Sequence, residues 1–159
     1  MKIRNIKALG VAMSLLPMVD FCPEGIDKNK LLKEVKTKQL VGLCNNTKWN
    51  EILTSFRHNE WTVSNRSKWI NGYISEWEND WYYHLPFPFL GVEWFDISYE
   101  KYTFKIEGGG RHETVTNLKN DILKFIESVG VEYEENESFV RVWGYAPKCY
   151  KRFSEIRCL

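Results

Sequence analysis

Two pairs of carboxylates in the middle of the chain, Glu76 with Asp80 and Glu93 with Asp96, stand among tryptophan and tyrosine side chains. Paired carboxylates beside aromatic rings can cleave a glycosidic bond, one acting as acid and the other as base or nucleophile. On a strand, however, Glu93 and Asp96 point to opposite faces, while Glu76, Glu78 and Asp80 share one. Exposure on a solvated sheet is the simpler reading of such acids. His84, in Trp81-Tyr82-Tyr83-His84-Leu85-Pro86, and His112 could each serve as a base. No nucleophile elbow accompanies either histidine, so no triad is drawn. Gly108-Gly109-Gly110-Arg111 could cradle an anion, but it lacks a phosphate-loop context and reads as a loop.

What distinguishes this region is its field. From Asn71 to Glu100 the charged residues are Glu76, Glu78, Asp80, Glu93, Asp96 and Glu100, with no Lys or Arg. The formal charge runs from +5 over residues 1–48 to −6 over residues 71–100, in a chain whose total is +1. An acidic aromatic surface favours a basic or amphipathic protein partner and disfavours a nucleic acid backbone. Glu76, Glu78, Asp80, Trp81, Tyr83, Glu93 and Asp96 are therefore the candidate partner-binding residues. No residue is assigned a catalytic role.

Cys22, Cys44, Cys149 and Cys158 show no CxxC spacing, and in a chain of 159 residues they read as reduced thiols. The histidines stand alone, so neither a metal site nor a cofactor is expected. At the amino terminus Lys2, Arg4 and Lys7 precede the apolar run Ala8 to Val19, which has the look of an export signal. Pro17 breaks the run, no small-x-small cleavage site follows, and it is too short to span a bilayer. Residues 1–22 are therefore expected to be retained in a cytoplasmic protein, with export as the alternative.

These residues need elements to position them. Helices are expected over Lys2–Leu16, ending at Pro17, and over Lys28–Leu40, capped by Asp27. A third starts at Asn45-Asn46-Thr47 and carries Trp49, Ile52, Leu53 and Phe56. Strands are expected at Trp61–Asn65, Tyr73–Trp77, Trp81–His84, Val92–Ser98 and Tyr102–Ile106, joined by short turns into an antiparallel meander. The glycine run closes the meander. A helix capped by Thr114 or Thr116 follows and stops at Gly130, and a hairpin pairs Val131–Glu134 with Ser138–Tyr145. The fold class is α+β, one domain of 159 residues with a helical extension (1–44), a core (45–145) and a basic tail (146–159).

Asn46-Thr47-Lys48-Trp49-Asn50-Glu51, Tyr73-Ile74-Ser75-x-Trp77, Trp81-Tyr82-Tyr83-His84, Val92-Glu93-Trp94-Phe95-Asp96-Ile97 and Val140 to Tyr145 resemble, in order and spacing, a family of small uncharacterised bacterial proteins. The likeness covers Asn45 to Tyr145. More loosely, the acidic aromatic surface resembles that of immunity proteins that neutralise bacterial toxins. That resemblance implies a binding function with a cognate protein toxin as partner. The alternatives are a small hydrolase, glycans being one substrate class for it, using sheet carboxylates, and an envelope-associated protein with an amino-terminal export or anchor segment.

Overall fold

The computed structural model describes residues 16–155. The expected helix over Lys2–Leu16 lies, but for its last residue, outside them, as does Cys158. Chain order is α1 (Lys28–Thr37), β1 (Val41–Gly42), α2 (Asn46–His58), β2 (Asn65–Trp69), a 3-10 turn (Phe89–Gly91) and β3 (Val92–Ser98). Then come β4 (Glu100–Glu107), β5 (Gly110–Asn117), α3 (Lys119–Val129), β6 (Tyr133–Glu135), β7 (Phe139–Trp143) and β8 (Tyr145–Ala146). The fold is α+β, as its alternating helical and strand periodicities imply. An antiparallel sheet in the order β2-β3-β7-β6 forms the body. β1 pairs with β8 and β4 pairs with β5.

Two helices start where a local side chain satisfies their free amides. Asp27 accepts from the Asn29 amide at 2.9 Å and from the Lys30 amide at 3.3 Å. Asn45 accepts from the Lys48 amide at 2.9 Å. α3 begins differently. The expected cap at Thr114 or Thr116 is corrected: both threonines lie in β5, and it is Asn117 that accepts from the Lys119 amide. β-branched Thr114, Val115 and Thr116 pair with Thr103, Tyr102 and Lys101, so a period of two overrides the helical reading. Gly130 ends α3 in the left-handed conformation, where a residue without a Cβ is unstrained.

Central strand β3 is buried along its whole length. Its alternation divides the sheet into two chemically different faces. Phe95 and Ile97, with Val140 and Val142 across from them, meet Trp49, Ile52, Leu53 and Phe56 of α2 and Ile122 and Ile126 of α3 in an apolar core. α1 sits apart from this core, where Leu31 packs with Ile70 and Tyr145. Val19, the end of the apolar run, is buried in the main core and its amide donates to Asn50 Oδ1 at 3.0 Å. The second face carries Trp94 opposite Trp143 and Asp96 opposite Arg141.

Three expected strands take other forms. Of Trp61–Asn65 only Asn65 is in β2, which continues through Arg66, Ser67 and Lys68. Tyr73–Trp77 runs beside β2 through isolated bridges, Lys68 with Ile74 and Asn65 with Glu78, and shields that edge without forming a regular strand. Trp81–His84 is a bend. Asp80 accepts there from the amides of Tyr82, Tyr83 and His84 at 3.1, 2.8 and 2.6 Å. Such side-chain acceptance is a local alternative to strand pairing.

Candidate functional site

The seven candidate residues do not form one surface. Glu76, Glu78 and Tyr83 are exposed. Asp80 is half-buried with its oxygens turned to its own bend. Burial pushes its carboxyl upward, but the three backbone donors outweigh this and hold it below the ordinary aspartate value. Trp81 is buried: its ring stacks on Phe56 with centroids 4.3 Å apart, and its indole N–H donates to the Val63 carbonyl at 2.7 Å. Glu93 is buried and bridged to Lys68. Asp96 is fully buried. Trp81, Glu93 and Asp96 are thus corrected from surface to interior, because core rings and cations from other strands reach them.

Asp96 lies at the centre of the sheet's second face, between two buried arginines. Arg141 donates from Nε to Oδ1 at 2.6 Å and from Nη2 to Oδ2 at 2.9 Å. Arg66 donates to Oδ2 from Nε at 3.1 Å and from Nη2 at 2.9 Å. Burial raises the Asp96 carboxyl above its ordinary value, against the pull of both arginines. With both oxygens facing guanidinium N–H groups, the carboxylate is the form this geometry holds. The Arg141 guanidinium also sits 3.6 Å from the Trp94 ring centre, and that of Arg66 sits 4.6 Å from Trp77, within cation–π range. Residues Lys148 to Glu155 lie over this layer.

β4 and β5 make a second feature, one that sequence reasoning misses. Gly108 and Gly109 form the two-residue turn that joins them, both with positive φ, where side chains with a Cβ are strained. Pairing runs unbroken from Glu100 with Asn117 to Glu107 with Gly110. The two strands are of equal length, eight residues each. From Thr103 to Asn117 every residue but Gly110 is exposed. One face carries Tyr102, Phe104 and Ile106 with Val115 across from Tyr102. The other carries Lys101, Thr103, Lys105, His112, Thr114 and Thr116. On this face Phe104 and Val115 are each 49% exposed and Ile106 is 84% exposed. Arg111 lies 3.9 Å over the Phe104 ring. Both long edges of the hairpin are unpaired among the described residues. The signal was present in the period-two alternation on both sides of the glycines.

Other reactive groups are quiet. Cys22, Cys44 and Cys149 are free thiols, and burial pushes the Cys44 thiol up to about 12 against the opposing charge of Lys48. Among the described residues no three His, Cys, Asp or Glu side chains are placed to hold a metal ion. No described helix is long and apolar enough to cross a membrane.

These features define a small α+β protein with an amphipathic β-arm and a charged layer buried under its carboxyl-terminal segment. The chain belongs to DUF6678, a family of unknown function, whose model matches residues 31–149. No curated protein and no solved structure matches it.

Proposed function

We propose that this protein acts by binding another protein, and that within this class it is a cytoplasmic immunity protein that neutralises a cognate toxin. The observation that carries the binding role is the amphipathic hairpin. An isolated two-stranded ribbon is marginal in water, and a long flat edge with an apolar face invites pairing with another chain. Exposed apolar patches mark interaction sites. A partner can take this arm either by adding a strand to its edge or by covering Phe104, Ile106 and Val115. Exposed Glu76, Glu78 and Tyr83 supply the acidic aromatic component of the same reading. The hydrolase alternative is the weaker reading: Glu93 and Asp96 are committed to buried ion pairs, and of the other carboxylate pair Asp80 is turned to its own backbone amides.

Co-expression tests this. The immunity reading requires a toxin gene beside this one, and cells producing that toxin should survive when this protein is present. They should die when it carries Phe104→Ser and Ile106→Ser together. Death with the wild-type protein refutes the immunity role. Survival with the folded double variant removes the arm from the mechanism.

A further inference from the structure

We propose that Lys148–Glu155 is a displaceable strap, and that the groove beneath it takes, in trans, a peptide that makes the same turn, in which the Phe153 amide donates to the Tyr150 carbonyl at 3.0 Å. The fitting peptide carries two aromatic residues three apart and a carboxylate two residues further on. The strap shows this chemistry in cis. Its backbone is held by side chains and not by a strand ladder. Arg141 Nη1 donates to the carbonyls of Cys149 and Lys151 at 3.0 and 2.9 Å. Arg66 Nη2 donates to that of Arg152 at 3.2 Å, and Asn136 Nδ2 to that of Phe153 at 2.7 Å. Main-chain grips of this kind tolerate many sequences, and pockets for side chains give specificity. Selectivity here comes from three side chains: Tyr150 set edge-on to Trp143, Phe153 edge-on to Phe139, and Glu155 bound to Arg66 Nη1 at 3.0 Å.

Four observations separate the strap from the body. The strap is itself exposed at Tyr150, Lys151, Arg152, Ser154 and Glu155, as segments that open locally are. Arg152 sits in the left-handed region, a strained backbone for a side chain. The buried indole N–H groups of Trp94 and Trp143, in the layer under the strap, find no acceptor among the described residues, donors that a ligand richer in oxygen can use. The family model spans Arg66, Trp94, Asp96, Arg141 and Trp143 but ends at residue 149, so the strap's aromatic and acidic residues lie beyond it.

Charge gives the reason for exchange. Beneath the strap two guanidiniums face one carboxylate, and Glu155 supplies the second. When the strap lifts, the groove carries excess positive charge and freed N–H donors, a poor state for groups so deep unless oxygen acceptors replace those lost. A partner's peptide with the same pattern restores them. The site shares no residue with the hairpin, so it stands or falls apart from the immunity reading.

The test uses the full chain and a fluorescein-labelled peptide of the Lys148–Glu155 sequence with serine in place of its cysteine. In fluorescence anisotropy the Phe153→Ala, Glu155→Gln double variant, its own strap weakened, should bind the peptide at least about 10-fold tighter than the wild type, about 1.4 kcal/mol. A peptide carrying the same two changes should not bind. Equal affinity for both proteins, binding to neither, or a double variant that fails to fold overturns the proposal. Hydrogen exchange on the wild type gives a second reading that needs no variant. Amides 150–155 should exchange at least about 100-fold faster than those of β3 and β7, and equal protection refutes a displaceable strap.

Discussion

Replacing Asp96 with Asn keeps the shape of the side chain and removes the one negative charge beneath Arg66 and Arg141. In the native protein its two oxygens receive four guanidinium contacts between 2.6 and 3.1 Å, and none of the three residues is more than 3% exposed. The amide offers one acceptor where there were two and turns an NH2 donor toward guanidinium donors. Breaking a buried pair in this way costs about 3–5 kcal/mol, because the partner charges stay buried. Here Arg141 is left without a carboxylate while Arg66 keeps only the half-exposed Glu155, which places Asp96→Asn within this range. For a chain of this size that is a fall of roughly 10 °C or more in the melting midpoint. Urea denaturation followed by tryptophan fluorescence measures it, with Glu93→Gln as the comparison. Glu93 and Lys68 are 11% and 12% exposed, so that variant should lose less. A loss below about 1 kcal/mol for Asp96→Asn would show that water reaches the layer, and would return Asp96 to the list of binding residues.

Gly144→Ala should cost about 3 kcal/mol or more in the same denaturation assay, since overpacking here meets a backbone atom that cannot turn aside. The added Cβ would lie against the Val92 carbonyl oxygen, far inside contact distance. Phe104→Ser with Ile106→Ser should leave the stability within about 0.5 kcal/mol of wild type, because neither ring nor methyl group enters the core; a larger loss would mean that the arm is packed. Cys44 should resist iodoacetamide at mildly alkaline pH while exposed Cys22 reacts, which peptide mass spectrometry resolves, because a thiol raised to about 12 holds little thiolate. The Asp80 bend should loosen in acid. Its carboxyl is lowered in the fold, so its contribution is complete above the ordinary aspartate value and is lost as pH falls through the folded one. Protection of the Tyr82 to His84 amides, taken relative to their intrinsic exchange rate at each pH, should fall there and be retained at neutral pH.

Helix starts are legible because capping is local: Asp27 and Asn45 act on amides two and three residues ahead. β3 is legible for a similar reason, as its alternation of apolar bulk suits a strand buried on both faces. β2 is not, because Arg66, Ser67 and Lys68 look like solvent-facing residues until Asp96 and Glu93 are placed across from them by pairing some thirty residues away. The hairpin is missed through competition between two local signals. Val115, Leu118, Ile122, Leu123 and Ile126 make a plausible helical stripe, while Thr114 to Thr116 also continue a strand. Only pairing with Tyr102 and Thr103 decides between them.

The same distinction between what lies near in sequence and what lies near in space governs the acidic field. Six carboxylates without a cation between residues 71 and 100 suggest strong steering of a basic partner. Yet Asp96 is neutralised by arginines from β2 and β7, Glu93 by Lys68, Asp80 is turned to its own amides, and Glu100 accepts from the Tyr102 hydroxyl at 2.6 Å. Glu76 and Glu78 are the exposed remainder, flanking Trp77 on the segment beside β2. Two exposed charges screened by solvent salt shift an association rate modestly, whereas apolar anchors set the dissociation rate. Reversing Glu76 and Glu78 to Lys should therefore slow complex formation by less than about 10-fold and leave dissociation unchanged, as stopped-flow mixing across salt concentrations would resolve. Removing Phe104 and Ile106 should instead shorten the complex lifetime, by a factor of about 30 for each ~2 kcal/mol of lost anchor contact. If charge reversal proved the more damaging change, and the loss lay in dissociation, the partner would be held by the acidic segment and the arm would need another occupant.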